Sequence, residues 1–200
     1  VKTLDVQITE KCSLKCKDCS NLMQYYKNPK DSDIDVLMKS IDRFMDSIDS
    51  LDEFRVLGGD PFMNKDMYKI VNKLVEHKKC KRVAVFTNAR IVPKGNNLEC
   101  LKNDKVVMDL SNYGAPSSKH DEVVELCKKE NITCNSFRFN EWQDCGTIKI
   151  NNRSDEVLEK QFANCSVSDL ISILNGKLYR CPFAANASNL KAIPYESKDE

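Results

Sequence analysis

The chain lacks an excess of charge of either sign. Its 31 lysines and arginines balance 30 aspartates and glutamates, which leaves a formal net charge of +1. Proteins that neutralise phosphates carry a basic surface, and this composition indicates none. The sequence also lacks an apolar run of the roughly 18–20 residues that a membrane-spanning helix needs. The sequence therefore carries no clear signal of a nucleic-acid partner, and we expect no membrane span.

The N-terminus lacks the pattern of a secretory signal, because Lys2 and Asp5 interrupt its short apolar stretch. The ten cysteines therefore indicate metal ligands and reduced thiols of a cytoplasmic protein rather than disulfides of a secreted one. Histidine is scarce: the sequence contains His77 and His120 alone, both far from the first cysteines. This scarcity disfavours a zinc site built from Cys and His ligands.

Three cysteines stand close together near the start of the chain. Cys12, Cys16 and Cys19 have the spacing C-x-x-x-C-x-x-C and follow a strand-like run over 4–9. Iron–sulfur clusters are normally held by four thiolates, so a compact group of three predicts a [4Fe–4S] cluster with one iron open to another ligand. A zinc site, or thiols without a shared function, are the alternatives.

Strand-like and helix-like segments alternate along the chain. Apolar runs predict strands over 1–9, 54–57, 83–86, 106–110 and 132–139. Three- and four-residue periodicity predicts helices over 34–48, 70–75, 97–102 and 118–129. Ser32 with Asp35, and Ser118 with Asp121, are candidate helix-capping pairs. This repetition predicts an α/β fold, a partial (β/α)6 TIM-like barrel with a parallel sheet and right-handed crossovers.

Polar and glycine residues follow the predicted strands. The second strand ends at Gly58-Gly59, the third at Thr87-Asn88 and the fourth at Ser111. The carboxyl ends of parallel strands meet at one edge, where barrel enzymes place their active sites. We therefore expect these residues and the three cysteines to share one site.

The cysteine loop and Gly58-Gly59-Asp60-Pro61 together resemble the radical S-adenosylmethionine (SAM) enzymes, over about residues 3–140. The tetrapeptide is similar to the family's glycine-glycine-glutamate-proline motif, with Asp60 in place of Glu. The resemblance implies SAM-binding roles for Gly58, Gly59, Asp60, Thr87, Asn88, Ser111 and Arg138. One departure is Asp18, because the family usually has an aromatic residue before the third cysteine, and this leaves the packing of the adenine open.

A second cysteine pair lies in the C-terminal part. Asn175-Gly176 between apolar runs predicts a β-hairpin, and this hairpin brings Cys165 and Cys181 near each other. The segment resembles the start of the SPASM or twitch extension, in which such a pair holds a second [4Fe–4S] cluster. The predicted domains are therefore a radical SAM partial barrel over 1–150 and a SPASM- or twitch-like extension over 151–200.

The remaining ligands of a second cluster stay open, because Cys181 is the last cysteine of the sequence. Either the chain continues past Glu200, or an upstream thiol such as Cys145 contributes, or no second cluster forms. The other thiols lie on helix or strand patterns and are expected to be core or surface residues; they are Cys80, Cys100, Cys127 and Cys134.

The resemblance implies that the cluster reductively cleaves SAM to a 5′-deoxyadenosyl radical, which takes hydrogen from a substrate. No catalytic side chain is expected, since the cofactor carries this chemistry. The expected substrate is a small polar molecule such as a sugar or nucleotide-sugar, and the expected electron donor is a flavodoxin or ferredoxin. The alternatives are an enzyme that modifies a peptide or activates a protein, and a non-catalytic metal-binding protein.

Overall fold

Strands and helices alternate along the chain. The computed structural model describes residues 1–141 and 147–194. The strands in these ranges are β1 (Thr3–Thr9), β2 (Leu51–Gly58), β3 (Cys80–Thr87), β4 (Val106–Asn112), β5 (Cys134–Arg138), β6 (Ile171–Leu174) and β7 (Lys177–Tyr179). The α-helices are α1 (Ile34–Asp46), α2 (Met67–Glu76), α3 (Asn96–Glu99), α4 (His120–Lys129), α5 (Asp155–Ala163) and α6 (Pro182–Asn189). Short 3-10 helices occur at Met23–Tyr25, Pro61–Met63 and Cys100–Lys102.

One sheet contains all seven of these strands, in the order β5-β4-β3-β2-β1-β6-β7. Strand β1 pairs in parallel with both β2 and β6, and β7 runs antiparallel to β6. The predicted α/β fold, with a mostly parallel sheet and a C-terminal hairpin, is confirmed. The first strand of the hairpin lies directly beside β1, so the hairpin extends the main sheet. The predicted division at residue 150 stays a prediction.

Alternation along β1 separates an apolar face of the sheet from a polar one. Leu4, Val6 and Ile8 are fully buried in the main core. That core also contains residues of the flanking helices, among them Leu37, Ile41, Ile70 and Leu74. The intervening Asp5 and Gln7 are buried polar residues on the opposite face. The helices therefore cover one face of the sheet, and the other face carries polar groups near the carboxyl ends of the strands.

Helix α1 is capped by a different residue from the one predicted. The Asp33 carboxylate accepts hydrogen bonds from the backbone N–H groups of Asp35 and Val36, at 3.0 Å each. The Ser32 hydroxyl instead donates to the carbonyl of Gln7, at 2.8 Å. The predicted pair of Ser32 and Asp35 was wrong because Ser32 lies against β1, where its hydroxyl bonds a strand carbonyl.

The start of α4 also differs from the prediction. The helix begins at His120, and its N-cap residue Lys119 makes no side-chain capping bond. Ser118 was the predicted cap, with Asp121 as its partner. The neighbouring Ser117 is the buried serine here, and its hydroxyl bonds the loop that follows β4. Hydrogen bonding to the backbone at the end of β4 therefore determines which of the two serines is buried.

The helices α5 and α6 lie outside the elements predicted from the sequence. Helix α5 has no buried residue, whereas α6 packs against the hairpin through Ala185, which is buried with Leu174 and Tyr179. Both helices are short, and few apolar residues mark a periodic face. Among the described helices, none combines the length and apolar composition that crossing a membrane requires.

A buried polar network attaches α6 to β1. The Asn186 side chain is fully buried and donates to the side-chain oxygen of Gln7, at 2.8 Å. It also accepts a hydrogen bond from the Tyr26 hydroxyl at 2.7 Å. Asn189 donates to that same hydroxyl and to Glu10. Buried polar groups with several partners fix one arrangement of their elements, so this network sets the position of α6.

We predict that Asn186→Ala lowers the free energy of unfolding by about 1–3 kcal/mol, the usual cost of leaving buried partners without a hydrogen bond. Chemical denaturation of the parent and the variant measures this difference. Asn28→Ala is the control, because Asn28 is exposed and lies outside this network. Equal losses in the two variants would contradict a stabilising role for the network.

Candidate functional site

The residues singled out from the sequence come together at the carboxyl edge of the sheet. Cys12 follows β1, Gly58 ends β2, Thr87 ends β3 and Ser111 is the second-last residue of β4. These four strands are adjacent and parallel. The edge therefore gathers the cysteine loop and three polar strand ends in one region.

The Gly58-Gly59 turn packs directly against the cysteine loop. The backbone N–H of Gly59 donates to the carbonyl of Thr9, and that of Asp60 donates to the carbonyl of Lys11, both at 2.8 Å. A Cβ atom would lie 2.3 Å from the Thr9 oxygen at position 58 and 1.9 Å from the Lys11 oxygen at position 59. Gly58 also has a φ of +135°, which side chains rarely adopt. The glycines are therefore required by the loop itself.

Further contacts hold the two ends of the cysteine loop. The Lys11 ammonium lies 2.5 Å from a carboxylate oxygen of Asp31, and the Thr9 hydroxyl donates to the other oxygen at 2.7 Å. The Asn21 side chain donates to the carbonyl of Gly58 at 2.6 Å. Sequence reasoning missed these contacts, since nothing in the spacing of Asp31 or Asn21 marks them. They fasten the loop at both of its ends.

The three thiols of the loop lie near one another. Cys12, Cys16 and Cys19 are free and half-buried. Burial, together with the smaller effects of the negative charges of Asp60, Cys19 and Cys16, raises the pKa of Cys12 to about 11, and a hydrogen bond from the backbone N–H of Leu14 opposes the rise. In the residues that the structure describes, no three His, Cys, Asp or Glu side chains are grouped so as to hold a single metal ion. The loop is therefore a set of three separate thiols that affect each other electrostatically.

A cavity of about 470 Å³ opens beside the loop. It is lined by the loop residues Leu14, Lys15, Cys16, Lys17 and Asp18, and by Tyr113, Pro116, Phe139 and Asn140. The rings of Tyr113 and Phe139 have centroids 5.7 Å apart. Burial raises the pKa of Tyr113, with further effects from the three loop thiols. This volume lies in the range of small-molecule sites.

Sequence reasoning missed Tyr113 and Phe139. Each lies one residue beyond the end of its strand, β4 or β5, which is the signal that could have identified them. Asp18, which stands where the family usually has an aromatic residue, lines the same cavity as these two rings. The cavity therefore has an aromatic wall that comes from strand ends rather than from the loop.

Asp60 joins the ends of β2 and β3. Its carboxylate is 1% exposed and accepts hydrogen bonds from the Thr87 hydroxyl at 2.8 Å and from the backbone N–H of Asn88 at 3.1 Å. A third bond comes from the backbone N–H of Phe62, at 3.1 Å. Burial raises the pKa of Asp60, and these three donors oppose the rise. The Asp60 carboxylate is thus directed into the protein.

Asn88 connects the end of β3 to the cysteine loop. Its side-chain nitrogen lies 3.7 Å from the sulfur of Cys12 and 3.1 Å from the hydroxyl oxygen of Ser13. Its side-chain oxygen accepts a hydrogen bond from the backbone N–H of Arg90, at 3.1 Å. Asn88 is 8% exposed. The third strand end therefore contacts the first cysteine directly.

Comparison with known proteins decides the family. The sequence profile described as the Radical SAM superfamily matches residues 6–115, more than half of the chain. The chain belongs to the radical SAM superfamily. No curated protein matches its sequence.

Solved structures share the radical SAM fold of this chain. SuiB from Streptococcus suis, bound to S-adenosylmethionine, aligns with a TM-score of 0.58 and 16% identity, over 81% of this chain and 38% of SuiB. BtrN, in complex with AdoMet and 2-DOIA, aligns with a TM-score of 0.58 and 14% identity, over 92% of this chain and 74% of BtrN. The enzyme anSMEcpe, with bound AdoMet and the Cp18Cys peptide, aligns with 0.52 and 19%, over 68% of this chain and 42% of anSMEcpe. The chain thus spans well under half the length of SuiB.

Two residues that were predicted to contact SAM, Ser111 and Arg138, lie on β4 and β5, the strands farthest from the hairpin. Ser111 hydrogen-bonds to Tyr113. The exposed Arg138 donates to the side-chain oxygens of Asn112, at 3.3 Å, and Asn140, at 3.2 Å. Both residues therefore belong to the part of the edge that carries the cavity. Their predicted contacts with the SAM ribose or carboxylate stay predictions.

The second cysteine pair lies on the hairpin side of β1. Cys165 follows α5, and Cys181 is the N-cap residue of α6, where its sulfur accepts a hydrogen bond from the backbone N–H of Ala184 at 3.3 Å. Both thiols are free and half-buried. Cys145, the candidate third ligand, lies outside the described residues. The SPASM- or twitch-like assignment stays a prediction.

The donor set of the loop fits the iron–sulfur cluster that radical SAM membership implies. Three thiols with no disulfide partner are the ligand type that such clusters use. Cys12 in particular is disfavoured as a free thiolate by burial and by neighbouring negative charge. Bound iron reverses that effect, because a coordinated thiol is deprotonated. Cys12, Cys16 and Cys19 would hold the cluster.

We predict that Gly59→Ala destabilises the protein by about 1–3 kcal/mol, the usual cost of overpacking, and reduces iron loading. The added methyl group must displace the carbonyl of Lys11 and shift the loop. Chemical denaturation and iron analysis after anaerobic reconstitution measure both effects. Gly95→Ala is the control for iron loading, because its positive φ strains an alanine and lowers stability too, whereas no atom lies within 4 Å of the added Cβ and the loop is not displaced. Full iron loading in Gly59→Ala would contradict the packing requirement.

Proposed function

We propose that this chain is the SAM-cleaving core of a radical SAM enzyme that removes hydrogen from a small polar substrate. The observation that carries the proposal is the grouping of three free thiols at the carboxyl edge of a parallel sheet, beside a cavity of about 470 Å³. When bound, the [4Fe–4S] cluster supplies the electron that cleaves a carbon–sulfur bond of SAM. The products are methionine and a 5′-deoxyadenosyl radical.

The residues of the chain bind and orient in this proposal. Cys12, Cys16 and Cys19 hold the cluster, and the loop keeps its shape through its bonds to the Gly58-Gly59 turn. The tilted ring pair of Tyr113 and Phe139 offers an apolar aromatic wall that suits an adenine. No side-chain acid or base is required.

The residues expected to bind SAM fall into two groups, according to whether their side chains are already hydrogen-bonded to each other. The side chains of Thr87 and Asp60 are bonded to each other. The backbone of Gly58-Gly59, together with Ser111 and Arg138, remains in the proposal as the set that contacts the amino acid and ribose of SAM. This set is supported by position alone, since its members line the same sheet edge.

The substrate class rests on the extent of the structural alignments and on the polar groups at the carboxyl edge of the sheet. BtrN was solved with 2-DOIA, and anSMEcpe was solved with a peptide. BtrN aligns over 92% of this chain and anSMEcpe over 68%. The higher coverage supports a small polar molecule, with a peptide or a protein partner as the second candidate.

The proposal has three further parts. Cys165 and Cys181 contribute to a second [4Fe–4S] cluster of the SPASM or twitch type. A flavodoxin or ferredoxin supplies the electron in the cytoplasm. The overall reaction is an oxidation or rearrangement of the substrate. These parts are supported by the residue pattern of the hairpin and by family membership.

We predict that the protein, reconstituted anaerobically with iron and sulfide and reduced with dithionite, converts SAM to 5′-deoxyadenosine. Cys16→Ala should abolish the product, because one cluster ligand is lost. Cys134→Ala is the matched control, since Cys134 is a half-buried thiol on β5 outside the loop, and it should retain activity. Chromatography with mass detection measures the product.

Three outcomes separate the hypotheses. Product from the parent and Cys134→Ala, but not from Cys16→Ala, supports SAM cleavage at the predicted loop. About four irons per chain without product would contradict SAM cleavage by this chain alone. One tightly bound zinc in place of iron would contradict the enzyme hypothesis and favour a non-catalytic metal-binding protein.

A further inference from the structure

We propose that Asn88 is a positioning residue for the cluster, whose side-chain N–H donates to the sulfur of Cys12, and that buried Asp60 holds Asn88 in that position. This inference rests on the proposed function, because it takes Cys12 as a cluster ligand. It assigns to both residues a role other than contact with SAM.

The orientation of the Asn88 amide follows from its partners. The backbone N–H of Arg90 can only donate, and it lies 3.1 Å from one side-chain atom of Asn88, so that atom is the oxygen. The nitrogen then faces the loop, 3.7 Å from the Cys12 sulfur and 3.1 Å from the Ser13 hydroxyl oxygen. With 8% exposure, the side chain has little water available as an alternative partner.

Asp60 fixes the backbone from which this side chain projects. Its carboxylate accepts from the N–H of Asn88 at 3.1 Å and from the neighbouring Thr87 hydroxyl at 2.8 Å. The Thr87 oxygen in turn accepts from the N–H of Ala89, at 3.2 Å. Three successive residues are thus held by one carboxylate that is 1% exposed. Asp60 therefore acts on Cys12 in two ways, through its negative charge and through the position of Asn88.

A hydrogen bond to a cluster sulfur changes the reduction potential. Reduction adds negative charge to the cluster and its thiolates, and an N–H donor stabilises that charge. Loss of the donor therefore makes the midpoint potential more negative. A purely structural role for Asn88 predicts no such change once the cluster is loaded to the same extent.

The test is a redox titration of the reconstituted protein without SAM, followed by electron paramagnetic resonance, with iron content measured in each sample. Asn88→Leu removes both donors at similar volume. Asn88→Ala removes the same donors without adding charge or volume, so it serves if the leucine variant fails to fold. Asn135→Leu is the control, because Asn135 bonds Asp109 on the far strands.

We expect both Asn88 variants to have a more negative midpoint potential than the parent at equal iron content, and Asn135→Leu to match the parent. Asp60→Asn also removes a negative charge near Cys12, which by itself makes the potential less negative, so its effect is compared in two backgrounds. The shift that it causes should be more negative in the parent than in Asn88→Leu, because only the parent retains the Asn88 donor that Asp60 positions.

Unchanged potentials in both Asn88 variants overturn the inference, and additive shifts in the double variant overturn the role of Asp60. A parent protein that assembles no cluster contradicts the proposed function and this inference together. A parent cluster that does not respond to Asn88 contradicts this inference alone.

Discussion

The candidate site depends on the close approach of two backbones, the Gly58-Gly59 turn and the cysteine loop. The two hydrogen bonds to Thr9 and Lys11 continue the pairing of β1 with β2 beyond the end of the sheet. A side chain at either glycine would collide with a loop carbonyl. The positions of Cys12 and of the thiols after it follow from this contact, because the loop leaves β1 along the turn.

Asp60 extends the same unit to the third strand. Burying a carboxylate is costly, and three hydrogen-bond donors offset that cost here. The carboxylate consequently joins the ends of β2 and β3, and the Asn88 side chain extends from there to Cys12 in the loop. The first three strand ends therefore act together, while the cavity is lined by the loop and by residues that follow β4 and β5.

The C-terminal hairpin stabilises the opposite side of β1. Strand β6 pairs with β1 in parallel, and α6 reaches Gln7 through Asn186. Gln7 lies two residues before Thr9, whose carbonyl receives the glycine turn. The strand that leads into the cysteine loop is thus held from both sides, by β2 with its turn and by the hairpin with its helix. Cys181, the N-cap residue of α6, is thus on the helix that contacts the strand leading into the cysteine loop.

Sequence patterns could predict much of this protein because they are local. Periodicity identified the first five strands and the helices between them, and the hairpin followed from Asn175-Gly176. The spacing of the three cysteines and their place after β1 predicted the candidate site. The helix caps were wrong where a tertiary contact competed, as when Ser32 bonded the carbonyl of Gln7.

The sequence by itself determined the order of elements and the residue types at the strand ends, since short-range periodicity and turn chemistry specify both. Only the tertiary structure decided which partner each polar group takes. Asp60 turns toward Thr87, Tyr113 pairs with Phe139, and residues 7 and 186 meet across 179 positions of the chain. Such pairings depend on strand order and burial, which arise when distant segments pack together and leave no mark in local spacing.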